Sequence, residues 1–273
     1  MVWDIDFIGR DEFKNYVKTV ILQICKKINS EDVESFNKNI IDPIKFIFEK
    51  YVYDEDWETI ITSEIARQRD KSADNDIGYF HQNIFSHFKH CVVPSEGWDV
   101  IFTPPGGVAI PGQGKVSTIY VELKNKHNTM NSSSAQKTYI NMQHQLLEDD
   151  DCACFLVEAI SKCSQNDPWI ITIDKKRQQH KLIRRVSIDQ FYTIVTGDKR
   201  GFFKICKVLP EIISEVIKDK GSLPLPNDKV YEQLCEISRN TNNSFEMALY
   251  MLAFSGYSGF EPVQTKGQTV IIS

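Results

Sequence analysis

Two short apolar runs, divided by a loop full of glycine and proline, constrain this 273-residue chain more than any other feature. The first is Gly97-Trp98-Asp99-Val100-Ile101-Phe102 and the second Thr118-Ile119-Tyr120-Val121-Glu122-Leu123-Lys124, with Pro104, Pro105, Gly106, Gly107, Pro111, Gly112 and Gly114 between them. β-Branched and aromatic runs with such a divider predict two strands joined by a long turn. Side chains alternate along a strand, so Glu122 and Lys124 share one face while Val121 and Leu123 point the other way, into a core. If the strands pair, Asp99 at the start of the first lies opposite the end of the second. Three charged groups then converge at one end of a sheet.

Two carboxylates and an amine in that arrangement suit metal-assisted hydrolysis of a phosphodiester. Carboxylate oxygens hold a hard cation such as Mg2+, with water and substrate phosphate filling the other positions. The cation polarises the phosphate and lowers the pKa of a bound water. A lysine, as a compact point charge, orients that water and stabilises developing negative charge. An exposed Glu–Lys pair on an edge strand, with Asp99 a turn residue, would account for the same residues without chemistry. The strand context and the upstream Asp99-Val100-Ile101-Phe102 favour the site.

Asp99 followed by Glu122-Leu123-Lys124 resembles the PD-(D/E)XK nuclease motif, with Trp98 where the motif's proline would stand. More narrowly, Glu122-Leu123-Lys124-Asn125-Lys126-His127-Asn128-Thr129-Met130-Asn131-Ser132-Ser133 resembles the type II restriction endonucleases that cut GGNCC sites, the Eco forty-seven II type. Arg67-Gln68-Arg69-Asp70-Lys71-Ser72 and Ile77-Gly78-Tyr79-Phe80-His81-Gln82-Asn83 add to the match. The resemblance implies an α/β fold, a restriction-endonuclease-like core in which helices flank a mixed β-sheet, with helical additions at both ends. It implies Asp99, Glu122 and Lys124 as catalytic residues and Asp99 and Glu122 as ligands of Mg2+. It also implies double-stranded DNA as substrate, a homodimer matching a palindromic GGNCC target, a cognate DNA methyltransferase as functional partner, and a prokaryotic cytoplasm as the setting. A repair or recombination nuclease on the same core, or a DNA-binding module that has stopped cutting, are the rival readings. The intact triad separates the last of these from the enzymes.

Composition agrees with a soluble globular protein: 41% apolar and 25% charged residues, with no stretch apolar enough to span a bilayer and no basic, apolar leader at the start. The seven cysteines are odd in number and lack zinc-ligand spacing, which suits reduced core thiols. Cys152 and Cys154, at a strand entrance, are expected to point to opposite faces. A net charge of −5 disfavours nonspecific coating of nucleic acid but leaves room for a local basic surface. One candidate is the cluster Lys175, Lys176, Arg177, Lys181, Arg184 and Arg185, which reads either as a phosphate-facing surface or as a solvated hairpin.

Around the motif the chain is largely helical. Phe13, Val17, Val20, Ile21, Ile24 and Ile28 recur at helical spacing, Ser30 marks a helix start, and Asp42-Pro43 opens another helix. In the next helix Trp57, Ile60, Ile61 and Ile65 form an apolar stripe that also carries Glu64. A carboxylate on such a stripe needs a partner or a cation. In nucleases of the resembled superfamily a preceding helix often supplies an acid to the metal, which makes Glu64 the third metal candidate. Asn75 is expected to cap a further helix with Ile77, Phe80, Ile84 and Phe88 inward.

After the catalytic strand, Lys126, His127, Asn128, Asn131, Ser132, Ser133, Gln136 and Lys137 form a polar run at a helix start, the candidate DNA-binding segment. Cys154-Phe155-Leu156-Val157 and Trp169-Ile170-Ile171-Thr172-Ile173 read as core strands. Ser187-Ile188-Asp189-Gln190 reads as a capping box. A helical face from Phe202, Phe203, Cys206, Leu209, Ile212, Ile213 and Val216 is expected to break near Pro210. The linker at 221–226 predicts a nuclease domain over 1–220 and a helical appendage over 221–273, packed on the same domain and ending in a strand at 269–272.

Overall fold

Asp42 and Pro43 show how the chain enters its helices. Asp42 adopts an extended backbone and accepts the N–H groups of Ile44 (3.1 Å) and Lys45 (3.2 Å), and Pro43 starts the helix where no N–H is needed. In a computed structural model describing residues 3–27, 30–127, 129–220, 226–256, 264–265 and 268–269, the helices before the sheet are α1 (Arg10–Lys27), α2 (Val33–Asn37), α3 (Pro43–Val52) and α4 (Trp57–Asn83). A 3-10 turn, Ile84–His87, then leads to strands β1 (Cys91–Val92), β2 (Val100–Phe102), β3 (Val108–Ile110), β4 (Gly114–Val116) and β5 (Thr118–Lys126). Next come α5 (Ser132–Glu148), β6 (Cys152–Ile160), β7 (Asn166–Ile173), β8 (Lys176–Ser187), α6 (Ile188–Thr196), α7 (Gly201–Lys220), α8 (Val230–Thr241) and α9 (Phe245–Ala253). A two-residue pair, β9 (Gln264–Thr265) and β10 (Gln268–Thr269), closes the series. No helix among the described residues is long and apolar enough to cross a membrane.

The chain divides into two units, Met1–Leu22 with Asn75–Ser222 and Gln23–Asp74 with Leu223–Ser273. The first holds a six-stranded mixed sheet in the order β1-β2-β5-β6-β8-β7. Strands β1, β2 and β5 are antiparallel, β6 lies parallel to both β5 and β8, and β7 returns antiparallel along the edge. A parallel pair needs a crossover, and α5 supplies it between β5 and β6. Strand β6 is buried from Cys152 to Ala159, as expected of a central strand covered on both faces. One face carries Cys154, Leu156 and Ile183, packed against Tyr139 and Met142 of α5 and Trp169 of β7. In the long loop between β2 and β5, the β3–β4 hairpin forms a separate two-stranded sheet. Gly107 is required there: its φ is 71° and a Cβ would meet the Val116 carbonyl oxygen at 2.7 Å.

The second unit is helical. Phe36, Phe46, Ile60, Ile61 and Ile65 pack with Leu234 and Ile237 of α8 and Leu249 and Leu252 of α9, so residues 23–74 share a core with the carboxy-terminal helices. Trp57 stacks on Phe245 at 4.9 Å between ring centroids, and Arg69 pairs with Asp228.

Several local expectations are corrected. The helix expected to start at Asn75 is the continuation of α4, which runs unbroken to Asn83 and leaves Ile77 exposed. The helix start assigned to Ser30 falls at Asp32, whose side chain accepts from Ser35 N–H while Ser35 Oγ accepts from the Asp32 N–H. Helix α7 passes through Pro210, and its buried face is Ile205, Val208, Ile212 and Val216, with Phe203 and Cys206 exposed. That much apolar burial outweighs the hydrogen bond a proline removes. Ser187 does not cap α6, because its Oγ is engaged by the backbone of Gln165. The thiols of Cys152 and Cys154 share one face, as residues two apart on a strand must, and approach the Gln145 and Met142 carbonyls of α5. Ile28, most of the linker and the last residues of the expected terminal strand lie outside the described residues.

Candidate active site

Val100 pairs with Val121, so Asp99, one residue earlier, comes level with Glu122 across the β2–β5 pair. Its N–H donates to the Val121 carbonyl (3.0 Å), and its carboxylate Oδ2 accepts the Leu123 N–H at 2.7 Å. The side chain thereby takes the place of a missing ladder partner and is fixed against β5. On β5 the expected alternation holds: Val121 and Leu123 are buried, while Glu122 and Lys124 are half-buried on the opposite face and meet at 2.6 Å. Burial pushes the Asp99 carboxyl above the ordinary carboxylate range and the Glu122 charge adds to the effect, against the Leu123 N–H and the Lys124 charge. The two carboxylates, with Oδ1 of Asp99 bearing no hydrogen bond among the described residues, form an oxygen donor set that suits a hard cation. No group of three His, Cys, Asp or Glu side chains gathers as a ready-made metal site among the described residues. Water and substrate phosphate would therefore complete the coordination.

The triad faces α5, and two clefts open beside it. One, of about 270 Å³, is lined by Glu122, Trp98 and the α5 residues Thr138, Asn141, His144, Gln145 and Glu148. Trp98 Nε1 donates to Gln145 Oε1 at 2.9 Å, tying the segment before Asp99 to that helix. The other cleft, of about 320 Å³, lies beyond Lys124 toward Lys126, the start of α5 and the edge strand β7.

The candidate DNA-binding residues occupy different positions around the second cleft. Lys126, Asn131 and Ser132 line it. Asn131 is the N-cap of α5, its Oδ1 accepting the Ser134 N–H at 2.8 Å, and Ser132 and Ser133 are exposed in the first turn. Gln136 donates to the Thr172 carbonyl of β7 at 3.1 Å, and Lys137 is exposed. His127 turns inward, with Nδ1 3.1 Å from Glu158. Asn128 lies outside the described residues.

Glu64 is found in the helical unit. It is 5% exposed, and both oxygens are engaged, Oε2 by Arg67 Nε at 2.7 Å and Oε1 by Arg67 Nη2 and by Gln68 Nε2 at 3.1 Å. Burial opposes its charge, but these bonds outweigh that and hold its carboxyl below the usual range. Of the basic cluster at 175–185, β8 separates the members: Arg185 lines the second cleft, whereas Arg184 is buried on the other side of the strand. Glu158, which sequence reasoning passed over, lies on β6 in register with Lys124. A lone acid in the apolar run Cys152–Ile160 was the available signal, since a carboxylate there must find a partner.

The family model described as Eco47II restriction endonuclease matches residues 5–218. Among curated relatives, the type II restriction enzyme Sau96I of Staphylococcus aureus is 23% identical over 269 residues, covering 94% of this chain and 98% of the relative. The type II restriction enzyme Eco47II of Escherichia coli is 26% identical over 230 residues, covering 79% of this chain and 89% of the relative.

Proposed function

Because this chain belongs to the Eco47II restriction endonuclease family, we propose that it cleaves double-stranded DNA at a specific sequence, with Asp99, Glu122 and Lys124 as its catalytic residues. The observation that carries the proposal is the Asp99–Leu123 hydrogen bond, which holds one carboxylate beside the strand that presents the second carboxylate and the amine on one face. Type II restriction enzymes generally use a divalent metal, and Mg2+ is the ion proposed here, held by Asp99 and Glu122. When bound, it supplies charge neutralisation at the scissile phosphate and an acidified water. Lys124 then has two tasks open to it: orienting the attacking water and stabilising negative charge as it builds on the phosphate. Glu64 would join the metal set only by releasing Arg67.

The polar run after β5 is assigned to DNA. Lys126 and Lys137 carry charge for phosphates, and Asn131, Ser132 and Ser133 present donors at the start of α5. Gln136 and His127 support this segment through their contacts with β7 and Glu158, and Asn128 completes the set by its place in the sequence. GGNCC is the proposed target, on the strength of the resemblance in residues 122–133. Its twofold symmetry suits a homodimer, one protomer for each half-site. A cell that makes such a nuclease must mask its own sites, so a DNA methyltransferase of the same specificity is the proposed functional partner. Digestion of a plasmid of known sequence, with and without Mg2+, followed by sequencing of the fragment ends, tests substrate, metal and target together. Ends at GGNCC only when Mg2+ is present are the expected result, and random ends or metal-independent cutting would refute it.

A further inference from the structure

Arg184 and Arg185 are neighbours in sequence with opposite surroundings. Strand β8 sends them to opposite faces, Arg184 level with Phe155 and Arg185 level with Leu156. Arg184 is 3% exposed, its Nε donating to Asn166 Oδ1 at 2.6 Å and its Nη1 to the Lys181 carbonyl at 3.2 Å. Arg185 emerges on the face of the triad, beside Glu158, which stands in register with Lys124 on the next strand. The Glu158 carboxylate is buried and saturated: it accepts from Arg185 Nη2, from Gln165 Nε2 (3.3 Å) and from Ser161 Oγ (3.4 Å), and lies 3.1 Å from His127 Nδ1.

Arg185 uses only one of its three nitrogens in this network. Nη2 meets Glu158 and His127 (2.7 Å), Nη1 has no partner among the described residues, and Nε is buried without one. A guanidinium is a planar fork suited to gripping an oxyanion through two parallel N–H groups, and buried donors left unmatched are costly. The cleft before it is lined by Lys124, Lys126 and the start of α5, whose first turn contains no acid. Among the described residues that line it Glu158 is the one carboxylate, and Arg185 pairs with it. Lys124, which pairs with Glu122, and Lys126 are the other charged side chains named on its lining.

We infer that this cleft seats a phosphate of the DNA backbone adjacent to the one being cut, that Arg185 grips it, and that Glu158 and His127 are positioning residues which aim the guanidinium. The inference rests on the nuclease reading and extends it, since Arg185 then registers the duplex relative to Lys124 without reading any base. Registration by a backbone contact predicts a signature distinct from that of a base contact. Loss of one phosphate contact weakens binding to all sequences and removes about one counterion from the salt dependence.

The test measures binding, without divalent ions, of a short labelled duplex containing GGNCC and of a scrambled duplex across a salt series, alongside plasmid cleavage by the unaltered protein. Arg185→Ala should bind both duplexes roughly tenfold more weakly, the effect of one charge-assisted contact, with a salt slope flatter by about one. Arg185→Lys should restore the slope without full affinity, because it keeps the charge and loses the fork. Glu158→Gln should weaken both duplexes in the native background and add nothing further in the Arg185→Ala background. Should the alanine variant not fold, Arg185→Gln replaces it with the same expectation. An unaltered slope in a folded Arg185 variant, while the native protein binds and cuts DNA, would overturn the inference and leave the nuclease reading in place. A native protein that neither binds nor cuts duplex DNA would overturn both.

Discussion

The side chain of Asp99 accepts the backbone N–H of Leu123 at 2.7 Å, so a residue proposed to bind metal also completes the edge of the β2–β5 ladder. Removing the side chain and removing the charge should therefore have separable effects. Asp99→Asn keeps an acceptor for Leu123 and loses the carboxylate, and is expected to fold normally with cleavage reduced at least about a hundredfold. Asp99→Ala should lose cleavage to the same extent and thermal stability as well, by about 1 kcal/mol for the lost hydrogen bond. Glu122→Gln and Lys124→Ala should likewise abolish cleavage while DNA binding survives. Single-turnover cleavage, duplex binding and thermal melting on the four variants decide the matter, and full activity in any folded one removes that residue from the mechanism.

Asn131 caps α5 through Oδ1, which leaves its Nδ2 donor out of the cap, and the residue lines the second cleft. Asn131→Ala should cost about 1 kcal/mol of stability. Asn131→Asp should keep the cap but replace the donor by a negative charge, so native-like melting is expected together with weaker DNA binding. If the amide reads a base edge, both variants should narrow the gap between cognate and scrambled duplexes by roughly 1–3 kcal/mol. Affinities for the two duplexes, measured beside the melting curves, separate cap from contact.

Glu64 is buried and held by Arg67 and Gln68. Glu64→Gln is expected to lower stability by about 1–3 kcal/mol, because a charge-assisted pair becomes a neutral one and leaves Arg67 short of a partner. A Mg2+ titration of cleavage by the same variant measures the other role. An increased Mg2+ requirement would place Glu64 in the metal set, and an unchanged one would confine it to holding its helix.

Burial disfavours the charge of Glu158, but hydrogen bonds from Arg185 and His127 outweigh it and keep its carboxyl below the ordinary range. A group with a depressed folded-state pKa contributes stability above its unfolded value, about 4.3 for glutamate, and loses it as pH falls through the folded value. Glu158→Gln should therefore melt below the native protein at neutral pH, by on the order of 3 kcal/mol for a broken buried pair, and the difference should shrink as pH falls below about 4. A difference that stays constant with pH would show that the carboxylate contributes through shape and not charge.

What was legible in the sequence was local. The pairing of Glu122 with Lys124 follows from strand alternation, and the approach of Asp99 follows from one hairpin, so both could be read from spacing. Glu158 and Arg185 could not, because their nearness to Lys124 depends on two parallel pairings, β5 with β6 and β6 with β8, that no short-range pattern encodes. Lys175 to Arg185 read as one basic cluster, yet a strand separates adjacent arginines onto opposite faces. Local signals also lost to larger ones: Asn75 sits within α4 although its side chain suits a cap, and α7 continues through Pro210 because Ile205, Val208, Ile212 and Val216 bury together. Ser187 has a capping residue's chemistry and spends it on Gln165, a partner set by the sheet.

The parallel centre of the sheet also bears on when the protein becomes active. Antiparallel neighbours can zip from a turn, but β5, β6 and β8 must each wait for a partner separated from it by a helix or another strand. Pairings between distant segments form slowly, since loop closure precedes any contact that rewards it. During synthesis Asp99, Glu122 and Lys124 leave the ribosome well before Arg185, and β6 has only one of its two neighbours until β8 follows. The residues proposed as catalytic can therefore pair through their own hairpin before Arg185 exists, and the step that closes β8 against β6 is the one that completes the sheet around them.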